Sequence, residues 1–581
     1  MKSKLFAVAL CSLAVQSLFA ASITSEGTGI GKHGEISVAV TFDDGRIQDV
    51  KILKEKENPI LAAPVYKDLK AAVIDSNSIN VDVLSGATFT SQGFLNAVKD
   101  AAAKAGIKLS DKKAGIKKAG DDALPLTQNV DVVVIGAGGA GLAAAIEAKV
   151  AGANVVLLEK MPTVGGNSLV SGGEINITGS WVQKELGIED NVARHVADTL
   201  VGGDFEGDPK MVTLMCSQSD EIGRWLKDTI GVRFEEKHIF QFGGHTRPRA
   251  ITPVGQSGAE PIAKLTAYAE KVGVRILTNM NAEEILQKDG RVVGVKAVRD
   301  GKTYTFNAKG GVVLASGGFG ANLDMCNKYN KSIDNRFKST DSPSATGEAL
   351  YMAEKAGAQL VNMEYIQTYP FADPISGSLQ YITDPIFDGA ILVNQNGERF
   401  VEELERRDVK SQAILAQPGS YAYVLWNDAI NDIHKYTDVH KNEFIVSQKN
   451  GVMIVAGTLK EAADFFKVNP VKLQATVDRV NRFAKSGKDE DFNHRAGLKE
   501  MKGGKWYMVK TVPSVHHTMG GIKTNTNGEV LDATGKPIPG FWAAGECTGT
   551  IHGTNRLGAN AWLDILVFGR IAGRNAAEAL N

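Results

Sequence analysis

Residues 130–160, VDVVVIGAGGAGLAAAIEAKVAGANVVLLEK, constrain this protein more than any other stretch. Val132 to Ile135 form an unbroken β-branched run with no polar face, so a strand here must be covered on both sides, as in a parallel sheet. A glycine turn, an alanine-rich helical stretch and a second apolar strand ending at Glu159 come next. That succession is the opening βαβ unit of a dinucleotide-binding domain. Gly136 permits the turn and Gly138 lets backbone approach a pyrophosphate. Gly141 lets helix and strand pack, and Ala140 lies in the same cofactor-facing turn. The helix N-terminus faces the phosphate charge, and Glu159, 18 residues beyond Gly141, accepts from an adenosine ribose.

The residues after Glu159 separate a flavin from a nicotinamide. EKMPTVGGNSLVSGGEIN adds a second glycine-rich loop with Gly165, Gly166, Asn167, Ser168, Gly172 and Gly173. A dinucleotide carrying an isoalloxazine needs this longer cradle. Near the C-terminus, AAGE supplies Glu546, and RLGAN supplies Arg556, Asn560 and Ala561 at a helix start that can face the flavin carbonyls.

At 581 residues the protein exceeds one core, and several domains are expected. A net charge of −1 gives no global field for nucleic acid or anionic membrane. Residues 1–21 have the parts of a signal peptide: Lys2 and Lys4, an apolar run, then small residues. This predicts export to the periplasm. Past it, Cys216, Cys326 and Cys547 make neither a disulfide framework nor a metal site. Residues 22–110 alternate as strands around a DDGR turn and then turn helical, forming a small α+β unit, and 111–128 is a polar linker. The dinucleotide domain occupies 129–363 and returns at 516–581, with an inserted domain over 364–515 closing on it. The expected class is α/β, with a Rossmann-type, glutathione-reductase-like FAD domain, an α+β clamp and the N-terminal α+β unit.

The pieces GAGGAG, GGNS, ATGEA, HHTMGG, AAGE and HGTNRLGAN together resemble the fumarate reductase and succinate dehydrogenase flavoprotein family, from about residue 129 to the end. The resemblance implies a noncovalent FAD, a clamp over it and reduction of a C=C bond beside a carboxylate. It implies that His516 and Arg556 hold the substrate carboxylate, and that His517, Glu546 and Glu348 of ATGEA contact FAD. It makes Arg407 of ERRD the proton donor and leaves Arg406 as surface. An arginine can act so only if hydride arrival makes the neighbouring carbon strongly basic, with a carboxylate refilling the guanidinium; Asp384 is the candidate relay.

The sequence departs from the fumarate pattern at one end. EYIQTYP puts Tyr369 where a histidine is expected, and YITDPIFDG keeps Thr383 but puts Phe387 where an arginine is expected. A carboxylate beside Asp384 would lack compensation there, whereas a planar group with N–H donors suits Tyr369 and Asp384, with Phe242 to stack on it. The set Tyr369, Asp384 and Phe387 resembles the urocanate-reducing branch of the family, so imidazole-acrylate is the expected substrate. Fumarate and other acrylates remain as alternatives, as does a non-enzymatic flavin electron carrier.

In the N-terminal unit, DVLSGAT (82–88) resembles FMN-binding domains in which a transferase esterifies the threonine, which implies covalent FMN on Thr88. The partners expected are a small acrylate, an FMN transferase and an electron donor such as a membrane quinol-dehydrogenase cytochrome, with the protein a monomer. His238, His245, His434, His440 and His494 look isolated, and Arg247 is assigned to the surface rather than the cleft.

Overall fold

A computed structural model describes residues 22–31, 34–57, 62–63, 65–81, 88–113, 124–494 and 497–580. The signal segment 1–21, most of DVLSGAT, the Thr88 side chain and residues 114–123 of the linker lie outside the described residues. The protein divides into an N-terminal unit and a much larger main unit.

The N-terminal unit is an antiparallel meander of Ile23–Ile30, Glu35–Asp43 and Arg46–Lys54. Ile36, Val38, Val40 and Phe42 alternate inward along the middle strand. Asp44 and Gly45 both take positive φ, the two-residue turn whose twist matches the strands it joins. Helix Thr88–Lys104 lies on the sheet at backbone distance: a Cβ on Gly29 would stand 2.0 Å from the Gly93 carbonyl.

In the main unit, the parallel strands Arg275–Leu277, Val155–Leu158, Thr127–Ile135, Lys302–Leu314 and Pro537–Ala543 lie side by side in that order. The 13-residue strand Lys302–Leu314 also pairs antiparallel with Arg291–Arg299 through its first half. Helix Gly139–Val150 and the last helix, Asn560–Glu578, cross at backbone distance. A Cβ on Gly573 would come within 2.0 Å of the Ala144 carbonyl, so only glycine fits.

A second sheet centres on Trp506–Thr518, which pairs with Ile366–Ala372, Ala422–Asn427 and Met453–Ala456. Its core packs Phe371, Leu392, Val424, Trp426 and Val509, with the Trp426 and Tyr507 rings stacked at 5.3 Å. Trp506–Thr518 is unbroken: it begins in this clamp core and delivers His516 and His517 toward the glycine loops. The buried Arg399 pairs with Glu403 and Asp489 and so fixes the loop from which helix Arg407–Leu415 starts.

Candidate functional site

One cleft runs across the carboxyl ends of the parallel strands, lined by Gly136, Gly138, Ala140, Glu159, Asn167, Ser168, Glu348 and Glu546 among others. The three fingerprint glycines differ in what an added Cβ would meet. A Cβ on Gly136, at φ 98°, would strike the Ala315 carbonyl at 2.4 Å, and one on Gly141 would strike the Gly136 carbonyl at 1.8 Å. At Gly138 the nearest atom is 3.8 Å away, so the space above the helix N-terminus is free for a phosphate. Glu159 accepts from the amides of Ala137 and Met161, both at 2.8 Å, and its burial pushes the carboxyl above its ordinary value. The Ser316 hydroxyl in the cleft wall is buried without a partner among the described residues. An open phosphate position, a held ribose acid and an unsatisfied hydroxyl fit an adenine dinucleotide.

Asn167 and Glu546 bond each other at 3.1 Å, and the Thr518 amide donates to Glu546 at 3.0 Å. The His517 ring lies 3.7 Å from Glu546. Glu348 forms an ion pair with Lys160 at the cleft mouth, and Ser168 accepts from the Gly139 amide at 3.3 Å. Gly172 leaves room for the Glu174 carboxylate, Gly173 takes φ 83° against Ser257, and Ala561 stands in the first turn of the last helix.

Beside this cleft, residues from both sheets and their loops converge. Gln367 Oε1 accepts from Arg556 at 2.9 Å and from Arg407 at 3.3 Å, while its Nε2 donates to the Arg556 carbonyl at 2.7 Å. Among the described residues, no carboxylate pairs with either guanidinium, and the buried Arg556 Nε has no partner. Burial, and for Arg556 the neighbouring Arg407, depress both guanidinium groups below their ordinary value. His516 is bonded through Nδ1 to the Thr340 hydroxyl at 2.8 Å, and burial beside both arginines holds its ring neutral. Two uncompensated cations and a neutral imidazole make a site that requires an anion.

The other end is lined by acceptors. The Tyr369 ring lies 5.0 Å under the Arg407 guanidinium and 5.1 Å from His516. Asp384 and Glu174 lie in one another's field; burial pushes Glu174 up to about 7 and raises Asp384 as well. Thr383 is buried with its hydroxyl donating to the Gln380 carbonyl at 2.6 Å. Phe242 packs on the backbone at Gly558, where a Cβ would stand 2.5 Å from its ring.

The FAD binding domain model matches residues 131–561, and the FMN-binding domain model matches 31–103. A urocanate reductase of Eggerthella lenta is 42% identical over 95% of this protein and 91% of its own length. A fumarate reductase (cytochrome) of Shewanella frigidimarina is 36% identical over 81% of this protein and 80% of its own length. The chain belongs to the fumarate reductase and succinate dehydrogenase flavoprotein family. As a family member it is an FAD-dependent oxidoreductase acting on C=C bonds. The open conformation of a flavocytochrome c3 fumarate reductase shares this fold, with a TM-score of 0.70 at 34% identity over 82% of this protein and 85% of that one.

Family motifs locate Arg407, His516 and Arg556 from sequence, and the structure brings all three to Gln367 or Tyr369. Arg406 is exposed, as expected, and bridges to Asp204 and Asp408. Three expectations are corrected. Phe387 does not line the pocket: it is 56% exposed on the short helix Tyr381–Asp388, whose opposite side faces inward. His245 is no isolated histidine, since its Nδ1 faces the fully buried Arg249 at 2.8 Å. His440 sits 3.5 Å from Asp384. Arg247 is exposed, as expected. Glu174 and Gln367 escaped sequence reasoning. The available signals were a charged residue directly after a glycine cradle and a glutamine within EYIQTYP.

Proposed function

We propose that this protein reduces the acrylate C=C bond of urocanate to give imidazole propionate. The observation that carries this reading is the grouping of residues: unpaired guanidinium groups and a neutral histidine on one side, carboxylates and a phenol on the other. The substrate carboxylate is held by Arg556 and His516. The Thr340 hydroxyl, 2.8 Å from Nδ1, fixes the orientation of the His516 ring. At the far end, Asp384 and Glu174 accept the imidazole N–H, and Phe242 covers the ring. Gly138, Glu159, Asn167, Ser168 and Glu546 would cradle FAD, which in its reduced form would supply the hydride.

Arg407 gives a proton to the adjacent carbon. Gln367 accepts from its Nη1 and, together with the Tyr369 ring, holds the guanidinium pointing inward. The fixed charge of Arg556 stabilises the enolate-like carboxylate as electrons arrive. The similarity to a named urocanate reductase supports the substrate, and the aspartate and phenol at the acceptor end disfavour a second carboxylate.

The same proposal covers the electron supply. Thr88 would carry covalent FMN, which would relay electrons from a cytochrome-type donor at the membrane, after export to the periplasm, so that the reaction would serve as a respiratory electron sink. The FMN-binding match, the DVLSGAT motif and the N-terminal signal pattern support this. The deciding assay tracks oxidation of a reduced dye by the purified protein with urocanate, fumarate and cinnamate. Urocanate is expected to give the highest kcat/KM, and equal or better turnover of fumarate overturns the assignment. Intact mass of the exported protein is expected to exceed that of the polypeptide by one FMN, an increment lost in Thr88→Ala.

A further inference from the structure

Each turnover consumes a proton that Arg407 must recover, and the residues around it do not provide one directly. Its hydrogen-bond partner is the amide of Gln367, which has no acidic proton to give. The position where the family resemblance expects an arginine holds Phe387, turned to solvent. An acidic route nevertheless reaches the site from another side. His440, at the junction of Tyr436–Val439 and Lys441–Lys449, places Nε2 3.5 Å from Asp384 Oδ2. Its ring lies nearly parallel to Tyr381, with centroids 6.1 Å apart and planes 18° from each other. Its side chain is 16% exposed, enough for one edge to meet water while the other meets Asp384.

We propose that His440 is the port through which protons enter the site. This route rests on the reading of Arg407 as the acid, and its protons balance. Arg407 loses a proton to the substrate carbon. Its guanidinium is restored through Asp384, the relay carboxylate that the family resemblance implies. Asp384 is then reprotonated by the His440 imidazolium, which takes its proton from water. One solvent proton thus enters per alkene reduced, matching the one not delivered as hydride. The charged and titratable groups around His440 are Asp384 and Tyr381 on the short helix, Glu443 on the helix just after it, and Asp388 engaged by His434 and Tyr436. Among these, Asp384 is the group that both meets His440 and belongs to the acceptor end. His440 therefore joins solvent to the reaction.

The test uses full-length protein loaded with flavin, the reduced dye as donor, and whichever acrylate the wild type reduces. Histidine replacement by His440→Gln and His440→Ala is expected to lower kcat about 10-fold or more, within the range of general acid–base steps, with KM nearly unchanged. The loss should deepen as pH rises, and the solvent deuterium isotope effect on kcat should grow. Raising phosphate at fixed ionic strength should restore turnover in His440→Ala, because a diffusible acid can replace the missing imidazole. Wild-type kcat in both variants overturns the proposal. So does a loss that phosphate leaves untouched while KM climbs, which would make His440 a prop for Asp384. Flavin absorbance equal to wild type confirms that each variant is folded. If urocanate fails as substrate but fumarate succeeds, the substrate assignment falls and this experiment still decides the port.

Discussion

The two ends of the substrate cavity are built on different principles. The cationic end draws Arg556 from the loop before the last helix, His516 from the long strand and Arg407 from the first residue of a clamp helix, and Gln367 ties the two arginines together. Its chemistry suits any substrate with a carboxylate next to the reacting bond. The acceptor end takes Asp384, Tyr369 and His440 from the clamp and Glu174 from the loop after the cofactor cradle. It is selective because Asp384 and Glu174 disfavour a second anion and reward an N–H donor. Reaction type thus resides at one end and substrate choice at the other.

The largest effect should come from breaking the cationic end. Arg407→Lys is expected to lower turnover by about 10²–10⁴-fold with flavin binding intact, since a mobile ammonium cannot keep the geometry of a held guanidinium. Unchanged turnover, measured by dye oxidation, would favour the electron-carrier alternative. The acceptor end should respond by exchanging substrates rather than dying. Tyr369→His is expected to raise the urocanate KM about 10-fold, the cost of one good polar contact, and to increase fumarate turnover. A uniform loss on both substrates would show that the ends are not separable.

A smaller effect is a pH signature at Glu174. Its folded-state carboxyl sits at about 7 against an ordinary 4.5, so between those values the folded protein holds a proton that the unfolded state does not. Stability therefore falls as pH rises across that window, and the penalty persists above it. Glu174→Gln should raise Tm relative to wild type above pH 7 and leave it unchanged near pH 4, as read by thermal melts at both values. The smallest effect belongs to Arg406→Ala. Exposed pairs such as Arg406 with Asp204 contribute about 0–1 kcal/mol, so turnover should change little beside the collapse at Arg407.

The cofactor side of this arrangement was legible in the sequence because backbone geometry dictates it. Gly136 and Gly141 have no room for a Cβ, and Gly138 must leave space, so their identities announce the fold. The carboxylate ligands were legible through motif resemblance, which carries Arg407, His516 and Arg556 directly. Glu174, Gln367 and His440 were not, because each matters through a partner far away in sequence: Arg407, Arg556 and Asp384 respectively. Phe387 was misplaced for a related reason. On a three-residue turn, Thr383 and Ile386 take the inward side and Phe387 falls outside, a rotation that residue-by-residue matching to an arginine does not reveal.

Trp506–Thr518 passes without interruption from the clamp core to His516 and His517. Extended backbone is already near full length and cannot stretch, so this segment acts as a leash. His516, the proposed carboxylate ligand, is thereby tied by extended backbone to the core of the second sheet. Inserting residues into this leash would therefore slacken hydride transfer and protonation together, even though every reacting group was left in place.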